Sequence, residues 1–217
     1  MLFRSVTGGG PLSDRAVEAV RALPTVVALV AADGGLDDAV AAGLEPTHLV
    51  GDLDSITAAG RMWAYANGVE IVEHPADKDA TDAELAIATA LALPDVRAVL
   101  LLGGLDGRPD RFDHLLGTLL ALGHPSLALL DEVRAVIGET EFVVVHGGHR
   151  VDLSLEAGRT FSLIALHGPA EGVVVRGARW ELDGARLTGT EARGVSNVVE
   201  DELMIAVEQG VVTAVIP

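Results

Sequence analysis

The chain has 217 residues, which allows one large domain or two small ones. Apolar residues make up 49% of it, enough for a sizeable core, and the absence of cysteine excludes disulfides and thiolate metal sites. A formal net charge of −17 argues against nucleic-acid and anionic-membrane partners, which need a basic face. Residues 1–5 lack the layout of a signal peptide, and no apolar run approaches the ~20 residues of a membrane span. We therefore expect a cytoplasmic protein without a nucleic-acid or membrane partner.

The first 130 residues alternate between apolar strands and helices. Strands are predicted at 2–6, 25–31, 48–50, 69–73, 98–102 and 127–130, and helices at 12–22, 36–42, 57–67, 80–93 and 115–122. Continuous apolar strands are typical of a parallel sheet that is buried on both faces. This alternation predicts a doubly wound, mostly parallel α/β sheet.

The pattern changes between Glu132 and Thr140, where helical periodicity is lost. Short strands separated by turn residues follow, at 142–145, 150–155, 160–165, 172–175, 180–182, 203–207 and 211–216. Closely spaced strands of this kind predict a small antiparallel β-sandwich. We therefore expect two domains, residues 1–133 and residues 134–217.

The segment Gly51–Ser55 places two carboxylates directly after the apolar strand at 48–50. Residues i and i+2 of an extended chain point to one side, so Asp52 and Asp54 would aim at one point. Ligands of open α/β sheets bind just outside the carboxyl ends of the strands, and Mg²⁺ often takes one or two carboxylates there. The alternative is an ordinary polar turn.

A second acidic cluster, at residues 77–82, leads into the helix predicted at 80–93. Asp79 and Asp82 are three residues apart and share one face of the first helical turn. Asp82 could add a carboxylate to the same metal site, with Thr81 beside it. Alternatively, Asp79 is the N-cap and Asp82 stabilises the first turn, and both functions are compatible.

Lys78 lies inside this acidic cluster and is the single lysine among 15 Lys and Arg residues. A compact ammonium on a flexible stem is a common phosphate binder. Chance placement in an arginine-biased chain is the alternative.

Two arginines follow the strand at 98–102. Arg108 and Arg111 could bind phosphate at this strand-to-helix junction, while Asp113 and His114 could serve acid–base chemistry or fix the arginines. A single histidine at a helix start is more often a hydrogen-bonding residue than a catalyst.

Two features stand out in the carboxyl-terminal half. Trp180 could stack on a flat, cationic aromatic ligand, although its spacing alone favours packing in the sandwich core. Ser196 and Asn197 lie in a loop-like patch. The other tryptophan, Trp63, is expected to pack in a helix.

These segments, in this order, resemble the thiamine pyrophosphokinase family. The matching motifs are Asp33-Gly34-Gly35, Gly51-Asp52-Leu53-Asp54-Ser55-Ile56, Lys78-Asp79-Ala80-Thr81-Asp82, Arg111-Phe112-Asp113-His114, Gly177-Ala178-Arg179-Trp180-Glu181-Leu182 and Gly194-Val195-Ser196-Asn197. The resemblance implies an α/β nucleotide domain joined to a β-sandwich, in homodimers whose sites lie between subunits. Two departures are a longer loop, with Pro109-Asp110 inserted before Arg111, and an Arg176–Arg179 segment that is less apolar than usual.

The resemblance also implies a reaction and its residues. Diphosphate would pass from ATP to the hydroxyl of thiamine, with Mg²⁺ held by Asp52, Asp54 and Asp82. The nucleotide side would include Asp33, Gly34, Gly35, Ser55, Lys78, Thr81, Arg108, Arg111, Asp113 and His114, and either arginine could be the one on phosphate. Trp180, Ser196 and Asn197 would contact thiamine, and Asp79 is the candidate general base.

Two other functions are consistent with this sequence. The acceptor could be another alcohol, such as a hydroxymethylpterin, or the chain could be a non-catalytic nucleotide- or thiamine-binding protein. The full carboxylate set argues against a simple binder, which has little need for three metal ligands.

Overall fold

The computed structural model describes residues 2–7, 10–23, 26–104 and 112–217. The chain forms two compact units: Met1–Ala121 with Ala135–Glu139, and Leu122–Arg134 with Thr140–Pro217. Within the described residues, no helix is both long and apolar enough to cross a membrane.

Unit 1 is built on a parallel sheet. Its strands are β1 (Leu2–Thr7), β2 (Val26–Ala32), β3 (His48–Gly51), β4 (Glu70–Glu73), β5 (Ala98–Gly103) and the unit 1 end of β6 (Glu132–Ile137). The order is β5-β1-β2-β3-β4, all in parallel register, with β6 beside β5. The chain therefore crosses from one edge, β4, to the far side of β1 before it forms β5.

Helices cover this sheet. They are α1 (Asp14–Arg21), α2 (Gly35–Ala41), α3 (Ala58–Ala66), α4 (Asp82–Ala92) and α5 (Phe112–Ala121). In β2, Leu29 and Val30 point to opposite faces, and both are buried. Leu29 packs in a cluster with residues of α1 and α2, and α4 lies across β1, β2 and β3. The predicted doubly wound α/β unit is confirmed.

Unit 2 is an antiparallel β-sandwich, also as predicted. Its strands are β7 (Thr140–His146), β8 (Arg150–Leu153), β9 (Thr160–Ile164), β10 (Ala170–Ala178), β11 (Leu182–Leu187), β12 (Asn197–Ala206) and β13 (Val211–Ile216). One sheet has the order β7-β13-β9 and the other β11-β10-β12-β8, and β9 also pairs with the start of β12. Both sheets contribute to one core, in which Phe161 is the single aromatic among the described residues.

Several predicted elements differ from those observed. The strand predicted at 127–130 is wrong, because Pro125–Leu129 forms a 3-10 helix. Proline has the backbone torsion of a helix start and no N–H to contribute to a strand ladder, so Pro125 favours this outcome. The strand β6 was missed, β11 begins at Leu182, and β12 begins at Asn197, six residues before the predicted start.

Two histidines of unit 2 hold the segment that contains the 3-10 helix. His146 is buried, and its Nε2 lies 3.1 Å from the Leu122 carbonyl oxygen. His149 Nε2 lies 2.8 Å from the Ala128 carbonyl oxygen. Since a carbonyl only accepts, both Nε2 atoms carry the proton. Burial lowers the pKa of His146, and the charges of His149 and His167 act in the same direction against the hydrogen bond to Leu122.

We predict that His146 makes the fold less stable in mild acid. A lowered pKa means that, below the usual histidine pKa of about 6.5, the unfolded chain takes up a proton that folded His146 does not. The free energy of unfolding should therefore fall as the pH is lowered from about 7.5 to 5.5, and it should fall less in His146→Gln. Urea titrations across this range measure it, with His74→Gln as a matched control. Equal slopes in wild type and His146→Gln would contradict the prediction.

Candidate active site

Three carboxylates meet at the carboxyl edge of the unit 1 sheet. Asp33 follows β2, Asp52 follows β3, and Asp82 is the first residue of α4. One oxygen of each lies within 4.8 Å of an oxygen of the other two. Since parallel strands end at the same edge, residues far apart in sequence are brought to one point.

The backbone around Gly51 makes this convergence possible. Gly51 has φ 147°, and a Cβ there would lie 3.1 Å from Asp33 Cβ and 3.3 Å from Asp82 Oδ1. A side chain would push the two carboxylates away. The turn that follows is fixed by Leu53, which is buried at φ 62° and whose carbonyl accepts a 2.7 Å hydrogen bond from Arg61.

Asp33 is the most buried of the three carboxylates. It is 5% exposed and has φ 45°, and its Oδ2 accepts a 3.2 Å hydrogen bond from the Ser55 N–H. Its Oδ1 is buried and has no hydrogen-bond partner within the described part of the chain. Burial raises the pKa of Asp33, the charges of Asp82 and Asp54 add to this, and the Ser55 hydrogen bonds oppose it. A cation would satisfy the unpaired oxygen.

Lys78 joins the other two carboxylates. Its Nζ lies 3.1 Å from Asp52 Oδ2 and 3.2 Å from Asp82 Oδ1, and the Lys78 and Asp52 side chains are each 15% exposed. The hydrogen bond from Lys78 lowers the pKa of Asp52. Burial acts to lower the pKa of Lys78, but its hydrogen bonds and charge interactions with Asp52 and Asp82 outweigh burial and raise it. Lys78 and Asp52 are therefore both charged at neutral pH.

A capping box fixes the position of Asp82. The Thr81 hydroxyl accepts from the Glu84 N–H at 3.2 Å, and the Glu84 carboxylate accepts from the Thr81 N–H at 2.8 Å. Thr81 is thus the N-cap, α4 begins two residues later than predicted, and the alternative assignment of Asp79 as N-cap is wrong. The Thr-x-x-Glu spacing was a readable signal for this. Asp82 lies at the positive end of the helix dipole, where an anion is stabilised.

These groups line a cavity of about 660 Å³, a size common for ligand sites. The sequence-predicted residues on its wall are Asp33, Gly34, Asp52, Asp54, Ser55, Lys78, Thr81, Asp82, Asp113 and His114. Asp38, Gly117 and Thr118 also line it, and no motif pointed to them. The structure therefore brings most of the predicted nucleotide-side residues to one cavity.

Other predicted residues lie elsewhere. Asp79 is exposed and is not among the residues that line the cavity, and Gly35 is buried at the start of α2. Arg108 and Arg111 lie outside the described residues. Asp54 is exposed on the cavity wall and accepts a 2.9 Å hydrogen bond from the Ser55 hydroxyl. Asp33 takes the third place in the carboxylate cluster, so a metal-binding role for Asp54 stays a prediction.

Unit 2 presents an exposed tryptophan. Trp180 is 56% exposed in the β10–β11 connection, so the expectation that it packs in the core is wrong. The Arg179 guanidinium lies 5.7 Å from the centroid of its ring and pairs with Glu200 at 3.0 Å. Trp63 packs against a hydrophobic cluster of unit 1, as predicted.

Ser196 and Asn197 lie beside Trp180. Ser196 is exposed, has φ 60°, and donates its N–H to the Ser162 hydroxyl at 3.1 Å. Asn197 is only 6% exposed and is hydrogen-bonded to the main chain of Trp180. Two of the three predicted substrate-contacting residues, Trp180 and Asn197, are thus in direct contact, and Ser196 is the residue that precedes Asn197.

Comparisons with known proteins identify relatives of this chain. A curated relative, "Thiamine pyrophosphokinase 1" of Oryza sativa subsp. japonica, is 28% identical over 175 residues, which are 76% of this chain and 63% of the relative, so the chain spans less than two thirds of that protein's length. The solved thiamine pyrophosphokinase of Bacillus subtilis superposes with a TM-score of 0.76 at 22% identity, covering 99% of this chain and 98% of the other. That of Candida albicans gives 0.72 at 13% identity, covering 99% and 89%. These two structures show a shared fold.

Family models match both parts of the chain. "Thiamin pyrophosphokinase, catalytic domain" matches residues 21–130, and "Thiamin pyrophosphokinase, vitamin B1 binding domain" matches residues 148–212. The catalytic-domain match alone covers just over half of the chain, and the chain therefore belongs to the thiamin pyrophosphokinase family.

Proposed function

We propose that the chain transfers diphosphate from ATP to thiamine in a Mg²⁺-dependent reaction. The thiamine hydroxyl oxygen forms a bond to the β-phosphorus, the bond from that phosphorus to the α-phosphate oxygen breaks, and AMP leaves while the hydroxyl proton is released. The observation that carries this proposal is the convergence of Asp33, Asp52 and Asp82 around Lys78 in the unit 1 cavity, within the matched catalytic domain.

The carboxylates fit a divalent cation. They are hard oxygen donors close enough to share one ion, and the buried Asp33 Oδ1 has no hydrogen-bond partner among the described residues. Asp52 and Asp82 belong to both the expected ligand set and the observed cluster, Asp54 is the third expected ligand, and Asp33 is a further candidate. When bound, Mg²⁺ would neutralise charge on the polyphosphate.

The chain's own groups would position ATP. A net charge of −17 repels a polyphosphate, so local cations must offset the repulsion. Lys78, on the cavity wall, would be one of these cations. Ser55, Thr81 and His114 line the same wall. The Ser55 and Thr81 hydroxyls donate to carboxylates and can still accept from a sugar hydroxyl, while His114 can donate to a phosphate or sugar oxygen. The roles of Arg108 or Arg111 on phosphate and of Asp79 as general base stay predictions.

The thiamine side of the proposal rests on unit 2. The exposed ring of Trp180 suits stacking on a cationic ring, and exposed Ser196 is a candidate for a further contact with the substrate. In the proposed homodimer, unit 2 of one subunit serves unit 1 of the partner in the cytoplasm. The functional division at residues 133 and 134, nucleotide half and thiamine half, is part of this proposal.

An AMP-release assay decides between the candidate functions. Purified protein is incubated with Mg²⁺, ATP and either thiamine or hydroxymethylpterin. If the proposal is right, AMP and thiamine diphosphate form in equal amounts when the acceptor is thiamine, and no AMP forms when it is hydroxymethylpterin. AMP formation with the pterin identifies the alternative acceptor, and the absence of AMP with both supports a non-catalytic binder.

We predict that Asp54→Asn lowers AMP formation at least about a hundredfold, because electrostatic groups at a phosphoryl-transfer site contribute on this scale. Asp54 is exposed, so the melting temperature should stay close to that of wild type. Asp77→Asn is the matched control, since this exposed residue makes the same charge change away from the cavity wall. Near wild-type turnover in Asp54→Asn would remove the metal role from this residue.

We predict that Lys78→Met binds divalent cations more tightly than wild type while its turnover falls. Lys78 occupies oxygens of Asp52 and Asp82, so it competes with a metal for them, and its loss leaves the carboxylates unneutralised. The rise in melting temperature on adding Mg²⁺ or Mn²⁺ measures the affinity without any turnover. A smaller metal-induced rise in Lys78→Met than in wild type would show that the lysine does not compete.

We predict that two inactive variants restore activity when mixed. Asp52→Asn disables unit 1 and Trp180→Ala disables unit 2. If each site combines two subunits, half of the randomly paired dimers contain one intact site, which gives about a quarter of wild-type activity. A co-expressed mixture assayed at limiting thiamine measures this. If activity equals the mean of the two parents, the sites do not combine unit 1 of one subunit with unit 2 of its partner.

A further inference from the structure

The side chain of Asn197 is engaged with the main chain of Trp180. Its Oδ1 accepts the Trp180 N–H at 3.1 Å, and its Nδ2 donates to the Trp180 carbonyl at 2.8 Å. The same Oδ1 accepts the Val198 N–H at 2.8 Å. Because two N–H donors meet one end of the carboxamide, that end is the oxygen, and both of its lone pairs are used.

Asn197 is in the wrong place to be mainly a ligand contact. It is 6% exposed at the start of β12, whereas Trp180 is 56% exposed in the connection that follows β10. Neighbouring strands are joined just beside this point, where the Arg179 N–H donates to the Val198 carbonyl at 2.9 Å. The carboxamide therefore ties an otherwise exposed loop residue to the edge of the sandwich core.

The tie leaves the indole ring in a defined setting. Arg179 lies over the ring and is itself held by Glu200, a residue of β12. Asn197 bonds both main-chain groups of Trp180, which fixes the backbone that carries the indole, and Arg179 lies over one face of the ring. A ligand that stacks on it then pays less ordering entropy.

We propose that Asn197 is a positioning residue that holds Trp180 as a preformed stacking surface for the cationic ring of the substrate. The effect of this positioning on catalysis rests on the proposed function. The main-chain bonds and the order they give to Trp180 do not depend on it.

The test follows Trp180 directly. The chain has two tryptophans, so in a Trp63→Phe background Trp180 is the sole emitter. Asn197→Ala removes all three hydrogen bonds, and the fluorescence anisotropy of Trp180 should fall while acrylamide quenching rises. Asn67→Ala is the matched control: it changes the only other asparagine, which also bonds a tryptophan carbonyl, that of residue 63, and it should change neither signal.

Kinetics add a second readout. Asn197→Ala should raise the KM for thiamine about tenfold, equal to ~1.4 kcal/mol, and leave kcat and the KM for ATP unchanged, since thiamine binding is weakened equally in the ground state and the transition state. Asn197→Asp keeps both acceptor bonds but sets a carboxylate oxygen against the Trp180 carbonyl oxygen, so its anisotropy should lie between that of the parent and that of Asn197→Ala. It also serves if Asn197→Ala does not fold.

The outcomes separate the two proposals. Unchanged anisotropy in folded Asn197→Ala overturns the positioning role, whatever the activity. A raised thiamine KM in Asn197→Asp with unchanged anisotropy overturns it too, because Asn197 would then contact the ligand itself. A lowered anisotropy in Asn197→Ala, together with no thiamine-dependent AMP release in the parent, supports the positioning role of Asn197 and contradicts the proposed function.

Discussion

The site in unit 1 depends on the forced approach of like charges. Asp33, Asp52 and Asp82 repel one another, and burial of Asp33 adds to the cost, as its raised pKa reflects. The fold supplies what holds them: Gly51 leaves room, the capping box fixes the start of α4, and Lys78 neutralises two of the three. An arrangement that costs stability and is still built by so many separate features is characteristic of a functional site.

The two units contribute different physical resources. Unit 1 offers charge at the edge of a sheet, where the proposed metal and polyphosphate would be aligned. Unit 2 offers an exposed aromatic surface, Trp180. Aromatic residues are few in this chain, and its core is made mainly of Ala, Val, Leu and Ile. The overall negative charge gives a polyphosphate no general attraction, so recognition must come from a small number of placed groups such as Lys78.

The sequence predicted the architecture well and the detailed geometry less well. The two periodicities indicated an α/β unit and a sandwich, because burial on two faces or on one leaves different patterns. The prediction of a strand at 127–130 was wrong because Pro125 starts a helical turn that includes most of this apolar run. The place of Asp33 in the cluster depends on a left-handed backbone that no motif encodes, and the exposure of Trp180 follows from a loop where a strand was expected. The capping box at Thr81 could have been read and was missed.

The route of α4 across the sheet has a consequence for how the site comes into being. Leu2 of β1 pairs with Ala98 of β5, while the whole of β2 to β4 and α4 lies between them in sequence. Contacts of such long range close late and slowly. A nascent chain that ends before residue 78 carries Asp33 and Asp52 without Lys78 or Asp82. The charge cluster can therefore be complete only after more than a third of the polypeptide has emerged, although its first two carboxylates lie in the first quarter.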